Sequence, residues 1–429
     1  MDRLPGFRDF YPEPVPPGDN LAWSADARAH VFAAWRHTAR RYGFREYDGP
    51  PVESLDLYTV KSGEEIVGQL YNFTDKGDRR VALRPEMTPT LARMVAAHER
   101  DYKKPIKWFA IPQLFRYERQ QKGRLREHFQ FNADILGETS VAADAELIAL
   151  LIDALRALGL SATDFQVRIS SRNAWQEFYQ RGVVNAEAGG AGEYEFYQII
   201  DKLERTPEDE SRKKLAALGF ALEAVKDFIA AAQPTLELQA VLDNLQARGL
   251  GDFVTVDYHV IRGLAYYTGV VFEAFDRQGE FRAIAGGGRY DNLVHLISGG
   301  KIQLPALGFG MGDVVLLELL KARGLLPRFS GAVAVYCLVE DETLRGDSLA
   351  LVQQARDAGL AVDYPLTPTK PEKQFKRARE LGVTHLVTVE RNDAGEKSVR
   401  IKHVQTRAQQ SVPFTAAVAA LIAELPPGR

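Results

Sequence analysis

Between Leu125 and Ile135 apolar and polar residues alternate with a period of two, the spacing of an extended strand. Arg126, His128, Gln130, Asn132 and Asp134 share one face, and Leu125, Phe129, Phe131, Ala133 and Ile135 share most of the other. One face predicts core and the other a polar surface along the whole strand. The neighbouring sequence supplies partners. Lys107 to Arg119 precedes it across a polar, glycine-containing loop, and Tyr71 to Thr74 and Arg80 to Leu83 flank the turn signal Asp75-Lys76-Gly77-Asp78, so the sheet is predicted to be antiparallel. One solvated face is common in such sheets. Here, however, that face carries an amide (Gln130) and a carboxylate (Asp134) four strand steps, roughly 13 Å, apart. Arg116, Lys122 and Arg124 lie close to it in sequence. Recognition of an anionic ligand follows as an expectation, because a planar guanidinium can grip two phosphate oxygens and stays charged.

The remaining patterns extend this core in both directions. A helix is expected over Ala25 to Tyr42, ending at Gly43, followed by an extended run from Phe44 to Glu53. Residues 185–248 change to Ala, Leu, Glu and Lys in helical spacing and read as a helical insertion. Strand patterns return at Phe253 to Val260, Thr268 to Phe275 and Arg282 to Ala285. Past Leu325-Leu326-Pro327, apolar strands (Ala332 to Leu338, His385 to Val389) alternate with helix patterns (Thr343 to Ala358, Glu372 to Leu381). The fold class is therefore α+β: an antiparallel sheet core flanked by helices over residues 1–325, the insertion at 185–248 within it, and an α/β domain over 331–429. A chain of 429 residues, 45% hydrophobic and 26% charged with net charge −3, excludes a disordered or histone-like protein but not a local basic surface. Cys337 is the only cysteine, so neither an intrachain disulfide nor a cysteine-built metal site can form. The opening residues lack an apolar signal core, and charges or prolines interrupt every apolar run, so a cytoplasmic protein without a membrane partner is expected.

Phe115 to Gly137 resembles motif 2 of class II aminoacyl-tRNA synthetases, in the form found in histidyl-tRNA synthetases. Other segments agree in order. Gly43 to Pro50 is similar to motif 1, which lies at the family's dimer interface. Arg84-Pro85-Glu86-Met87-Thr88 is similar to the histidine-binding loop, Arg262-Gly263-Leu264-Ala265-Tyr266-Tyr267 with Val271-Phe272-Glu273 to the histidine-specific signature, and Gly286-Gly287-Gly288-Arg289-Tyr290-Asp291 to the glycine-rich element after it. The resemblance implies a homodimeric class II fold and two reactions: histidine and ATP form histidyl-adenylate, and the histidyl group then passes to the 3′-terminal adenosine of histidine tRNA. By resemblance, Arg116 and Arg262 are catalytic and bracket the α-phosphate, Glu118 and Arg124 contact ATP, and Mg²⁺ is bound mainly through the phosphates, with no protein metal site. Glu86, Thr88 and Gln130 match positions that hold the α-amino group. Asp134 and Tyr267 match those that read the imidazole nitrogens, with Tyr266 and Tyr290 lining the same pocket. His128 is expected to be structural.

Two positions depart from the family pattern. In Gly308-Phe309-Gly310-Met311-Gly312-Asp313-Val314-Val315, similar to motif 3, the usual ATP-contacting arginine is Val315, and the signature's usual aspartate is Ala265. Lys122, Arg126 and Arg282 are the candidates to compensate. Residues 331–429 resemble the anticodon-binding domain, and between Lys370 and Arg407 ten cations face five acids. Lys373, Lys376 and Arg377 are the tRNA-phosphate candidates, with Gln374 and Phe375 as weaker candidates to meet a base. The competing function is a non-catalytic, histidine-sensing paralogue like the regulatory subunit of ATP phosphoribosyltransferase; the C-terminal domain and both principal arginines favour the ligase.

Overall fold

A computed structural model describes residues 2–62, 64–117, 125–182, 191–261, 267–327, 329, 333–391 and 395–425, leaving the side chains of 61, 62, 64, 65 and 191 aside. The chain divides into two compact units, Met1–Pro327 and Arg328–Arg429.

The first unit is built on a nine-stranded sheet. Its order is Arg45–Glu46, Ile106–Ala110, Glu127–Leu136, Ala306–Gly312, Ala285–Arg289, Val270–Asp276, Phe165–Ser171, Val254–Val256, with Gln113–Phe115 pairing beside Ile106–Ala110 on the same central strand. The six inner strands are antiparallel, and each edge strand is parallel to its neighbour. The run from Lys107 onward thus forms two short strands, Ile106–Ala110 and Gln113–Phe115, that pair with successive parts of Glu127–Leu136. The expected hairpin at 71–83 forms as Asn72–Thr74 with Arg80–Leu83, in a separate three-stranded sheet completed by Val52–Ser54.

Phe131, on the apolar face of the central strand, is fully buried. Trp35 stacks on its ring at 5.6 Å, while Phe109 and Phe309 meet it edge-on at 5.9 and 5.4 Å. Trp35 arrives on the helix Ala25–Arg41, whose start is fixed by Ser24: its Oγ accepts the Ala27 amide at 3.0 Å. Val31, Trp35 and Ala39 recur at helical spacing and bury that helix against the sheet. One strand expectation shifts: Arg282 to Ala285 is not a strand, and the strand lies at Ala285–Arg289, through the three glycines. Glycine has little strand propensity, so the position had no local signal.

Beyond Phe165–Ser171, the helices Arg172–Gly182, Ala191–Asp201, Glu208–Ala217 and Leu222–Ala231 gather around Trp175, Phe178, Phe196, Phe220 and Phe228. Leu236–Ala247 packs on Ala142–Arg156 of the first unit's main body.

The second unit carries a five-stranded sheet ordered Val362–Asp363, Val335–Leu338, His385–Arg391, Lys397–His403, Gln409–Pro413. Val335 and Cys337 face one cluster with Leu351, Val352 and Leu421, whereas Tyr336 and Leu338 face another with Ala378 and Val383. Both faces of that strand are covered, which is why it reads as a continuous apolar run.

Candidate functional site

The polar face of Glu127–Leu136 grades from half-buried at His128 and Gln130 to buried at Asn132 and Asp134. It forms one wall of a cavity of about 280 Å³ that is also lined by Glu86, Thr88, Arg116, Tyr267 and Tyr290. Seven of the residues singled out in the sequence therefore meet here: Glu86, Thr88, Arg116, Gln130, Asp134, Tyr267 and Tyr290. They come from five separate stretches of chain. His128 and Asn132 also line it. Glu118, Arg124, Arg262 and Tyr266, with Lys122 and Ala265, lie outside the described residues.

Backbone register gives the cavity its depth. Gly308 and Gly310 stand directly across from Asp134 and Gln130 in the antiparallel pair. A Cβ at Gly308 would sit 1.9 Å from the Asp134 Oδ1, and one at Gly310 would sit 2.6 Å from the Gln130 amide. Only glycine leaves room for both side chains to lie over the neighbouring strand. Asp134 is buried, and the Tyr290 hydroxyl donates to its Oδ1 at 2.5 Å. Burial pushes its carboxyl up to about 7, and the bond from Tyr290 only partly opposes that rise. A carboxylate with one donor in a desolvated pocket is poised to accept a second N–H from a ligand.

At the other end of the polar wall, the Arg116 amide donates to Arg126 O at 2.9 Å, and the Arg116 Nε donates to Pro85 O at 3.2 Å. That second bond ties the motif 2 arginine to the loop carrying Glu86. The loop is itself pinned by Arg84, which is buried: its guanidinium donates to Asp48 at 2.9 Å, Gly49 O at 2.7 Å and Gln113 O at 3.1 Å. Next to Tyr267, the Thr268 amide donates to Arg289 O at 2.8 Å. Arg289 turns away from the cavity to pair with buried Asp144 and to donate to Glu138 O at 2.9 Å.

Val315 lines the cavity, at the start of the helix Asp313–Ala322. Of the candidates to replace its missing charge, Arg126 lays its guanidinium over the Tyr117 ring at 4.6 Å, and Arg282 is exposed beside the cavity-lining Ala283. Three residues that the sequence reading passed over, Arg8, Glu127 and Asp313, form a buried ionic cluster behind this end. Glu127 carried a signal, since it is a charge on the strand's otherwise apolar face.

In the second unit, Lys373, Lys376 and Arg377 lie exposed on Pro371–Glu380, and the latter two each come to 4.0 Å from Glu380. The reading of Gln374 as a base contact is corrected. It is fully buried, accepts the Val339 amide at 2.9 Å and donates to Val339 O at 2.8 Å, which ties the helix to the sheet. Phe375 packs against the core beside it. Several of the ten cations are already neutralised: Arg400 bridges Glu340 and Glu390, and Lys397 pairs with Asp347.

The family model described as histidyl-tRNA synthetase matches residues 18–312, and the one described as anticodon binding domain matches residues 332–424. The chain belongs to the histidyl-tRNA synthetase family. A histidine–tRNA ligase of Opitutus terrae is 45% identical over 96% of both chains, and one of Leptospira biflexa is 36% identical over 99% of this chain and 98% of that protein. The fold agrees with the histidyl-tRNA synthetase of Nostoc sp. PCC 7120, at a TM-score of 0.76 and 23% identity over 96% of this chain and all of that one.

Proposed function

We propose that the protein is a histidine–tRNA ligase, which activates histidine with ATP and transfers it to the terminal adenosine of histidine tRNA. One observation carries the reading beyond family membership: Glu86, Thr88, Gln130, Asp134, Tyr267 and Tyr290 converge with Arg116 on a single cavity. This set matches the substrate's chemistry. Glu86, Thr88 and Gln130 supply oxygen acceptors for an ammonium group, and Asp134 with the tyrosines supplies an acceptor and donors for an imidazole that presents one of each. A non-polar amino acid would leave Asp134 and its partners buried and unpaired, so the pocket selects strongly against it.

In the first step the histidine carboxylate attacks the α-phosphorus while both are anionic, so positioning and cationic neutralisation carry the catalysis. Arg116 holds the α-phosphate from the strand side, with its guanidinium oriented by Pro85 O. By resemblance to the family, Arg262 is assigned to the same phosphate and Glu118 and Arg124 to the nucleotide; all three lie outside the described residues. Mg²⁺ requires hard oxygen donors and keeps several waters; the ATP phosphates would supply most of these, since Glu86, Gln130 and Asp134 are assigned to histidine. When bound, the ion neutralises phosphate charge. In the second unit, Lys373, Lys376 and Arg377 contact tRNA phosphates.

The enzyme is cytoplasmic and homodimeric in this reading; among the described residues no helix is long and apolar enough to cross a membrane. Val315 on the cavity wall is the observation that favours the alternative, a histidine-sensing relative without catalysis. Histidine-dependent exchange of pyrophosphate into ATP, followed by charging of histidine tRNA, separates the two. Exchange and charging are expected; histidine binding without exchange would establish the alternative.

A further inference from the structure

Two carboxylates lie fully buried behind the nucleotide end of the cavity. Glu127 stands on the apolar face of the central strand, and Asp313 is the first residue of the helix Asp313–Ala322, each with a side chain 1% exposed or less. Buried carboxylates are costly unless a partner of opposite charge reaches them. Arg8 reaches both. Its Nε donates to Glu127 Oε1 at 2.7 Å, its Nη1 lies 2.9 Å from Asp313 Oδ2, and its Nη2 donates to Asp313 Oδ1 at 3.3 Å. Two further donors reach the carboxylates: Asp313 Oδ1 also accepts the Phe129 amide at 2.9 Å, and Glu127 Oε2 accepts the Gln113 side-chain amide at 3.0 Å, whereas Arg8 Nη1 and Asp313 Oδ2 face each other as an ion pair without hydrogen-bond geometry. The Arg126 amide donates to Gly6 O at 2.9 Å, so the backbone two residues before Arg8 is also tied to the residue that leads into the strand.

The residues beside these anchors line the cavity. His128 and Gln130 flank Phe129 on one wall, and Gly312, Val314 and Val315 flank or follow Asp313 on the other. The guanidinium is therefore the side-chain tie between strand and helix at this end, added to the Phe129–Asp313 bond and to the backbone pairing of Gly312 with Gln130. Arg116, whose amide is bonded to Arg126 O, is at the same end, whereas Asp134 lies seven strand steps beyond Glu127, roughly 23 Å.

We propose that Arg8 is a positioning residue for the nucleotide half of the site: it fixes the helix start bearing Val315, where the family's arginine would otherwise contact ATP, relative to the strand that leads from Arg116. The planar fork is essential because two carboxylates must be met at fixed angles by one cation. This inference rests on the ligase reading and deepens it.

The test uses full-length protein with Arg8→Gln, Arg8→Lys and Asp313→Asn, each checked for native near-ultraviolet circular dichroism, and follows pyrophosphate exchange with ATP and histidine varied separately. Arg8→Gln is expected to raise the ATP KM by about tenfold or more with the histidine KM within about twofold, and Arg8→Lys to recover part of that loss. Asp313→Asn keeps the Arg8 and Glu127 charges balanced and can still accept the Phe129 amide, so it keeps the test open if Arg8→Gln does not fold; an ATP KM raised about threefold is expected. An unchanged ATP KM in folded variants, or equal losses for both substrates, would overturn the proposal. If the unaltered protein shows no exchange, the ligase reading fails by itself, and ATP affinity measured by calorimetry on the same variants then decides the role of Arg8: weakened binding supports it and unchanged binding removes it.

Discussion

Asp134 shows how one residue can be legible in kind but not in state. Its place on the polar face follows from alternation alone, and its match to the imidazole-reading position follows from resemblance. Its raised pKa follows from neither, because it depends on burial in the folded pocket, which the bond from Tyr290 only partly opposes. The consequence for stability has a definite sign. An ordinary aspartate loses its proton near pH 3.9 in the unfolded chain, whereas here the folded state keeps it to about pH 7. Between those values the folded state holds the extra proton, so stability falls as pH rises through that window and levels off above it. Asp134→Asn should melt close to the unaltered protein near pH 4 and at higher temperature than it near pH 8, while histidine binding is lost. Parallel melting curves at all pH values, measured without histidine, would contradict the assignment. Arg84 and Arg289 teach the complementary lesson. Both stand in motif-like segments, yet both are committed to holding loops and a buried carboxylate.

At the scale of elements, periodicity located the helix Ala25–Arg41 and the central strand closely, since each has a long, regular apolar face. It failed where glycine replaced side chains. The strand Ala285–Arg289 has no local strand preference and exists because two neighbouring strands hold it. The basic helix Pro371–Glu380 divides the same way. Its charge was visible in sequence, but the inward turn of Gln374 was decided by unpaired backbone at Val339. Lys373, Lys376 and Arg377 stay exposed, so replacing all three with Glu should leave folding and pyrophosphate exchange intact. tRNA affinity should fall by about tenfold or more, and its dependence on salt should become shallower. Filter binding of histidine tRNA over a range of salt concentrations measures both; an unaltered slope would remove this helix from the interface.

For the whole molecule, the decisive fact is that each unit has its own core. Among the described residues, the clusters around Val335 and Tyr336 draw on the second unit and the lining of the cavity on the first. Ending the chain at Pro327 should therefore preserve histidine-dependent pyrophosphate exchange within about threefold while charging of histidine tRNA drops by about a hundredfold, a loss of some 3 kcal/mol of tRNA recognition. Equal loss of both activities, in a truncated protein with native circular dichroism, would show that the units depend on each other for the chemistry. The alternation at Leu125 to Ile135, the motif order and the charge of the helix Pro371–Glu380 were determined by sequence alone, because each depends only on residue type and short-range spacing. The closure of the polar wall into a cavity, the elevated proton affinity of Asp134 and the meeting of Arg8 with Glu127 and Asp313 were decided only by tertiary structure. Desolvation and ion pairing depend on what lies across space, and residues 8, 127 and 313 have no relation until the chain has folded.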